Sequence, residues 1–292
     1  MKRLRIPAIV DLITVSDPAQ IADLATDSRL DREYVSRGPL LNRIVTGRIR
    51  EVLSLDGRPT PSAAPRGPAR PLPAQAALEA QLNPIAAALD ASDVSVQALA
   101  RYVRGEGPAS AAGPLAQEAV GRLFAPDFKS DAASWAAAEV LGQAPQTFNP
   151  FLLIWWGLTG AVNKAKRLLA DKVGHDPSGV HGVGIAVHNF VPAFSRMRAL
   201  WADPAARGRL SPEAAAAQCL FAPVQVVRQP TKAGASLAGD FSDATLIRLQ
   251  LRAANARFPS QETAFMTQAW ARCPAHAWVP ALLAAVWRAA QE

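Results

Sequence analysis

The chain has 292 residues, half of them apolar and 19% charged, with 24 prolines, 2 cysteines and a formal net charge of +7. That length allows one large domain or two small ones, with enough apolar residues for a sizeable core. Two cysteines, Cys219 and Cys273, form neither a disulfide framework nor a CxxC zinc pattern. The basic residues are dispersed and often sit beside acids, as in residues 29–37, RLDREYVSR. No basic stripe interleaves with aromatics, so nothing points to a nucleic-acid partner. Residues 151–162 are the longest apolar run, too short and broken to span a bilayer, and no AxA-like cleavage site follows the basic start. The expectation is a soluble cytoplasmic protein without membrane insertion. Abundant alanine, leucine and arginine favour helix. The many prolines predict short helices with irregular connections.

In chain order, residues 7–15 (PAIVDLITV) read as a short strand or extended lead-in. Asp17 then caps a helix that has Pro18 at its first position. Residues 40–55 read as a helix with Leu41, Ile44, Val45, Ile49 and Val52 on its apolar side. Residues 56–75, rich in proline, alanine and arginine, cannot bury a core and predict a mobile connector. Further short helices are expected over 76–89, 95–104, 114–124 and 131–141, the last around Trp135. Asn149-Pro150 opens a helix predicted to run to Val173, apolar at its start and basic at its end. Trp155 and Trp156 cannot face the same way, so one could line a cavity, or both pack, in a core or at a domain contact.

Residues 175–204 hold three of the four histidines, His175, His181 and His188, and early glycines Gly179, Gly182 and Gly184. Val187, Phe190, Val191, Phe194, Met197 and Leu200 recur as a helical stripe. His181 and His188 share a face if the helix is unbroken. No HxxxH pair or matching carboxylate supports a metal site there. The glycines read as a close approach of backbone or ligand. Ser211-Pro212 starts another helix, which Ala222-Pro223 ends. Residues 224–227 and 244–251 are the best strand candidates and could pair.

The closing stretch, residues 265–287 (FMTQAWARCPAHAWVPALLAAVW), places Cys273 and Pro274 just before an apolar helix carrying Trp278, Leu282, Leu283, Val286 and Trp287. A cysteine at a helix start sits where dipole and free N–H groups favour thiolate, which can ligate a soft metal or a haem iron. It can equally be a small buried residue of a turn.

The order of these pieces resembles the C-terminal half of a cytochrome P450. Residues 182–204 match the helix that crosses the haem, and 211–229 match the helix ending in a Pro-rich turn. Residues 243–256 match the short sheet, and 265–287 match the cysteine loop with the final helix. Residues 13–34 (ITVSDPAQIADLATDSRLDREY) look like the opening segment of bacterial members. The departures are plain. The family loop runs Phe-x-x-Gly-x-Arg-x-Cys-x-Gly, and here Met266, Ala269, Ala271 and Ala275 stand at the Phe, Gly, Arg and Gly positions. The Glu-x-x-Arg pair is replaced by Ala216 and Cys219, the distal acid–alcohol pair is not evident, and the chain is shorter than usual members.

The resemblance implies a mainly α protein: a single P450-like helical domain over 1–292 with a small β-sheet, and haem b as cofactor. Cys273 would be the axial thiolate, which favours O–O cleavage. Arg228, with Arg272 as a second candidate, would hold a haem propionate. His188 and Asn189 would face the oxygen side, or His181 and Gly182 in another register. Loss of the acid–alcohol pair implies peroxide or hydroperoxide as co-substrate, or rearrangement of an oxidised substrate, rather than dioxygen and a redox partner. The substrate would be a small hydrophobic organic molecule. The alternative is a haem-free helical binding or interaction protein on a degenerate P450-like scaffold.

Overall fold

The computed structural model describes residues 1–61, 73–145, 150–257 and 259–292, and not the side chains of residues 150 and 153. Most of the connector expected over 56–75 therefore lies outside the described residues. In chain order the described elements begin with β1 (Lys2–Ile6), β2 (Val10–Val15), α1 (Pro18–Thr26), β3 (Leu30–Asp31), α2 (Leu40–Val52), β4 (Ser54–Leu55) and β5 (Arg58–Pro59). There follow α3 (Pro73–Ala88), α4 (Val94–Val103), α5 (Ala112–Gly121), α6 (Ala132–Gln143), α7 (Pro150–Thr159), α8 (Ala161–Lys172), α9 (Pro177–Gly184), α10 (Phe190–Ala202), α11 (Pro204–Arg209) and α12 (Pro212–Cys219). The last are β6 (Val226–Pro230), β7 (Gly234–Ser236), β8 (Gly239–Phe241), β9 (Leu246–Leu249), α13 (Leu251–Arg257), α14 (Gln261–Phe265) and α15 (Trp278–Gln291). The architecture is mainly helical with a small mixed sheet, as the composition implied. Two compact units divide the chain: residues 1–79 with 221–276, and residues 80–220 with 277–292.

The first unit holds a five-stranded sheet in the order β1-β2-β9-β6-β3. β2 and β9 are parallel, with Leu12 opposite Leu246, while β6 and β9 are antiparallel, with Arg228 opposite Ile247. The two strands expected to pair late in the chain do so. Leu251 starts a helix instead of ending the strand. The lead-in over 7–15 is only partly strand, because residues 7–9 turn between β1 and β2. In β2 the alternate residues Ile13 and Val15 are buried, yet Asp11 is also 95% shielded, with only 5% of its surface exposed. It is held by a network rather than by packing. Arg3 donates to both carboxylate oxygens at 3.1 Å, and the Thr245 hydroxyl donates at 2.9 Å.

That network corrects the expected face of α2. Leu41 and Ile44 are 45% and 46% exposed, while Asn42, Thr46, Ile49 and Val52 point inward. The Asn42 amide donates at 2.8 Å to the backbone carbonyls of Asp11 and Ala244. Satisfying two buried carbonyls outweighs burying a leucine, because an unpaired polar group inside costs more than an exposed apolar one. Replacing Asp11 with alanine removes the acceptor shared by Arg3 and the Thr245 hydroxyl, leaving Arg3 only the Asp240 carbonyl and Thr245 only Ser242. The expected loss is about 2 kcal/mol in a chemical-denaturation series, moderated by the partial exposure of Arg3.

The second unit is helical. α15 packs on α4 and α12, and α6 packs on α8. Gln117 ties three helices together. Its Nε2 donates to the carbonyls of Ser134 (2.9 Å) and Val183 (3.1 Å), and its Oε1 accepts from the Ser130 and Ser134 hydroxyls. The helix expected from Pro150 to Val173 is two helices, because Gly160 adopts φ +62° between α7 and α8. Trp156 is buried and Trp155 is 63% exposed, so the two do face apart. Phe151, Ile154, Trp155 and Leu158 together leave one apolar face of α7 open. Among the described residues no helix is long and apolar enough to cross a membrane.

Residues 177–202 form no single helix either. α9 ends at Gly184, Ile185 has φ −123°, a 3-10 turn follows over Ala186–Asn189, and only then does α10 begin. His181 and His188 thus lose the shared face that an unbroken helix would give. The protein atoms nearest the glycines of α9 belong to side chains. A Cβ on Gly184 would lie 2.8 Å from Leu141 and 3.0 Å from Leu169, and one on Gly179 would lie 2.9 Å from Val173. They are small so that α6, α8 and the turn after α8 can pack closely.

Candidate functional site

In the first unit α14 is capped by Ser260, whose hydroxyl accepts the Thr263 N–H at 3.0 Å. Met266 then ends it in the left-handed region, at φ 51°. Residues 267–272 form the loop, with Ala269, Trp270 and Ala271 buried, and the Cys273 N–H returns to the Phe265 carbonyl at 2.8 Å. The loop closes on the helix end it left. The Cys273 carbonyl in turn accepts the His276 Nδ1–H at 3.0 Å. The first turns of α3 hold the loop from outside through Gln75 and Glu79, which share a face four residues apart. Gln75 donates to the Arg272 carbonyl at 2.5 Å. Glu79 receives Arg272 through Nε at 2.7 Å and Nη2 at 2.5 Å. Arg272, expected to face a cofactor carboxylate, is bidentate to this glutamate.

Cys273 does not sit at a helix N-terminus. α15 begins at Trp278, five positions on, with Ala277 as its cap. A helix dipole acts only over about the first turn. Cys273 keeps part of its surface exposed, yet burial of the thiol pushes its pKa up to about 11. An N–H from Ala275 pulls it down, and Glu79 raises it further. Cys219, fully buried in α12, is driven by burial to about 12. Ala216, the other residue at the Glu-x-x-Arg positions, is buried beside it in the same helix.

Both thiols are raised above the ordinary value of 9.0. The unfolded chain therefore loses these protons first as pH rises. The stability held by neutral thiols is complete below pH 9 and drains away as pH climbs toward 11 and 12. We expect the stability gap between wild type and Cys219→Ala to shrink over that range, by up to about 1.4 kcal/mol per pH unit. Thermal melts of both proteins at pH 8, 9 and 10 check this.

Arg228 is a buried strand residue, 3% exposed, not a surface charge. Its Nη1 donates to the Val227 carbonyl at 2.8 Å, its Nη2 approaches the Met266 sulphur at 3.9 Å, and its Nε meets no partner. Arg32, which the sequence pattern placed among dispersed surface charges, is 5% exposed. Both guanidinium carbons lie over the Trp270 ring, at 4.9 Å for Arg32 and 5.9 Å for Arg228. Burial first, and the Arg228 charge second, pull Arg32 down to about 10. Burial likewise lowers Arg228 and raises the Asp31 carboxyl. No spacing in the chain marks Arg32, Trp270 or Glu79 in advance. The only local hint is the polar pair Gln75 and Glu79 on an otherwise alanine-rich helix.

His188 and Asn189 belong to the second unit, in the 3-10 turn ahead of α10. The His188 ring lies 5.3 Å from Trp135, and its Nε2 sits 2.8 Å from the Ala138 carbonyl. A carbonyl only accepts, so the proton is assigned to Nε2 and Nδ1 is the basic nitrogen. Gly142 makes room for the ring: a Cβ there would lie 2.4 Å from His188 Cδ2. Gly142→Ala should expel the imidazole at a cost of about 1–3 kcal/mol, seen as altered His188 NMR shifts and a lower denaturation midpoint. Among the described residues no group of three or more His, Cys, Asp or Glu gathers as a metal site.

The chain matches no family model, and no curated protein matches its sequence. Solved structures do match its fold. It is similar to the cytochrome P450 CxnD, for C–S bond formation in chuangxinmycin biosynthesis, at 14% identity and a TM-score of 0.53, covering 95% of this chain and 79% of that one. It is similar to OxyD, a P450 of vancomycin-type antibiotic biosynthesis, at 17% identity and 0.52, covering 95% and 81%. A six-coordinated cytochrome P450 from Thermus thermophilus matches at 13% identity and 0.50, covering 96% and 84%. The fold is P450-like, at low sequence identity to these structures.

Proposed function

We propose, from the premise of that P450-like fold, that the chain binds haem b through Cys273 and oxidises or rearranges a small hydrophobic organic substrate. We assign peroxide or an organic hydroperoxide as co-substrate in place of dioxygen and a redox partner. The observation that carries the haem reading is Arg228, a guanidinium 3% exposed whose Nε has no partner, in the same unit as Cys273. A buried donor of that kind fits a carboxylate such as a haem propionate. The Cys273 sulphur, already receiving the Ala275 N–H, fits a soft cation.

Haem held by thiolate supplies electron density that favours O–O cleavage. The chain's own residues would do the rest. Cys273 must give up its thiol proton on ligation, so affinity should rise with pH up to the raised thiol pKa. Arg228 would orient the cofactor by its carboxylate. His188 would accept or return a proton at Nδ1, and Asn189 would orient the substrate by its amide. The assignment of these two rests on element order alone.

A haem-free interaction protein is the second reading. The Glu79–Arg272 clamp favours it, since it occupies one of the two expected propionate partners. So does the open apolar face of α7. Haemin titration of the purified protein separates the readings. A Soret band that moves to the thiolate–CO position on reduction under CO supports the enzyme. A protein that takes up no haemin sinks it. With haem bound, turnover supported by peroxide alone is expected. Turnover only with NADPH and a reductase would refute the peroxide assignment.

A further inference from the structure

β1 is an edge strand: β2 lies on one side of it and, among the described residues, no strand lies on the other. All five of its residues are exposed. An open edge of this kind presents backbone N–H and C=O groups with which a further strand can pair. Its side chains alternate. Leu4 and Ile6 stand opposite Leu12 and Val10 on one face of the sheet, and Arg3 and Arg5 stand opposite Ile13 and Asp11 on the other. Arg3 is held by Asp11 and by the Asp240 carbonyl. Lys2 and Arg5 stay exposed. The apolar surface continues past the end of the strand. Leu4, Ile6 and Ile9 are 51%, 43% and 46% exposed. The carbonyls of Ala8 and Ile9 accept the N–H groups of Leu40 and Leu41, which joins the turn to the open side of α2, where Leu40, Leu41 and Ile44 are exposed. Scattered surface leucines need no partner, but a joined run of large aliphatic residues marks an interaction site.

We infer that the open edge of β1 takes up a further strand from another protein, an extended segment that alternates acidic and apolar side chains. Charge selects that occupant. Two copies of β1 paired antiparallel about Leu4 would set Arg3 of one copy against Arg5 of the other, and like charges directly opposite destabilise a sheet. Lysine and arginine on an edge guard against such self-pairing. The same residues favour a strand of opposite charge. Its carboxylates meet Arg5 on one face, its apolar residues meet Leu4 and Ile6 on the other, and residues past the strand end reach Ile9 and Leu40. Backbone bonds along the edge supply affinity, and the alternating side chains supply specificity. Nothing in this pairing requires haem, so it stands or falls separately from the proposed chemistry.

The test titrates the full chain with fluorescent peptides of about seven residues, the length of an ordinary strand. One alternates aspartate and valine, one alternates lysine and valine, and one has the composition of the first with its acids clustered at one end. Wild type should bind the alternating acidic peptide about tenfold more tightly than either control, and the amides of Lys2–Ile6 should exchange about tenfold more slowly in its presence. Arg5→Glu, checked for fold by circular dichroism, should reverse the preference between aspartate and lysine peptides. Equal affinity for all three peptides, or none for any, overturns the inference. N-methylation of only the valines, or only the aspartates, removes N–H groups from one edge of the peptide at a time. One methylated peptide should bind like the parent and the other about tenfold more weakly, and equal results in both reject edge pairing. Uptake by phosphatidylcholine–phosphatidylglycerol vesicles without peptide binding assigns the patch to a membrane and also overturns it. So does a peptide-free dimer in sedimentation that Leu4→Asp dissociates. Should Arg5→Glu not fold, Arg5→Gln should cut the preference for aspartate over lysine about threefold, and full retention rejects the site.

Discussion

Cys273→Ala should abolish the thiolate–CO band that we expect of the reduced, haemin-loaded protein. The side chain is the thiol of a closed loop, fixed by its N–H to Phe265 and its carbonyl to His276. Loss of a direct ligand should weaken binding by more than the roughly 10- to 100-fold that follows from losing a supporting contact. Because ligation releases the thiol proton, wild-type affinity should also climb about tenfold per pH unit between pH 6 and 9, well below the thiol pKa of about 11. In Cys273→Ala that slope should vanish. The two measurements are independent, since one reads the ligand and the other the proton it carries. A variant that keeps its haem at wild-type affinity, with a pH slope that ends near the ordinary histidine pKa of about 6.5, would move the ligand to a histidine.

Trp287→Ala should be the most damaging single truncation in the second unit. Trp287 is fully buried in α15 and meets Trp201 edge to face at 5.3 Å. Deleting it removes a large apolar surface and leaves a cavity that helices packed on two sides cannot close. The cost should be about 3–5 kcal/mol. Trp287→Phe should cost less than half as much. The ring that remains fills most of the space, and the indole N–H, which has no partner here, disappears with the substitution. Denaturant titration, read by hydrogen exchange of α4 and α15 amides, isolates this unit from the other. Equal effects of the two substitutions would mean that the site collapses around any smaller side chain.

What could be read in the chain and what could not divide along a physical line. Caps and breakers act within a few residues, and they were legible. Asp17 accepts the Gln20 N–H and starts α1, Ser211 accepts the Ala214 N–H and starts α12, and the apolar positions of the last helix are all buried. The late strands and their pairing followed from β-branched runs between turns. Element order was enough to suggest the P450-like fold, because order survives the loss of motif residues. Helix continuity was less legible. Gly160 and Ile185 interrupt patterns that look unbroken, since a stripe of apolar residues does not record the φ between them.

The site depended on contacts between distant segments. Cys273, Arg228 and Arg272 were named from the resemblance, but their chemistry was not. A cysteine before an apolar helix suggests a low thiol pKa. Burial in its loop reverses the sign, because a charged thiolate loses its solvation there. Arg272 is bidentate to Glu79, 193 residues earlier. Arg32 looks like any surface arginine in RLDREYVSR until the fold buries it beside Trp270 and within reach of the Arg228 charge. By itself the sequence determined the helical class, the short sheet and the candidate cysteine, all of which rest on local propensity and order. Only the tertiary structure decided which charges are buried together, because solvation and pairing depend on what the rest of the fold brings alongside.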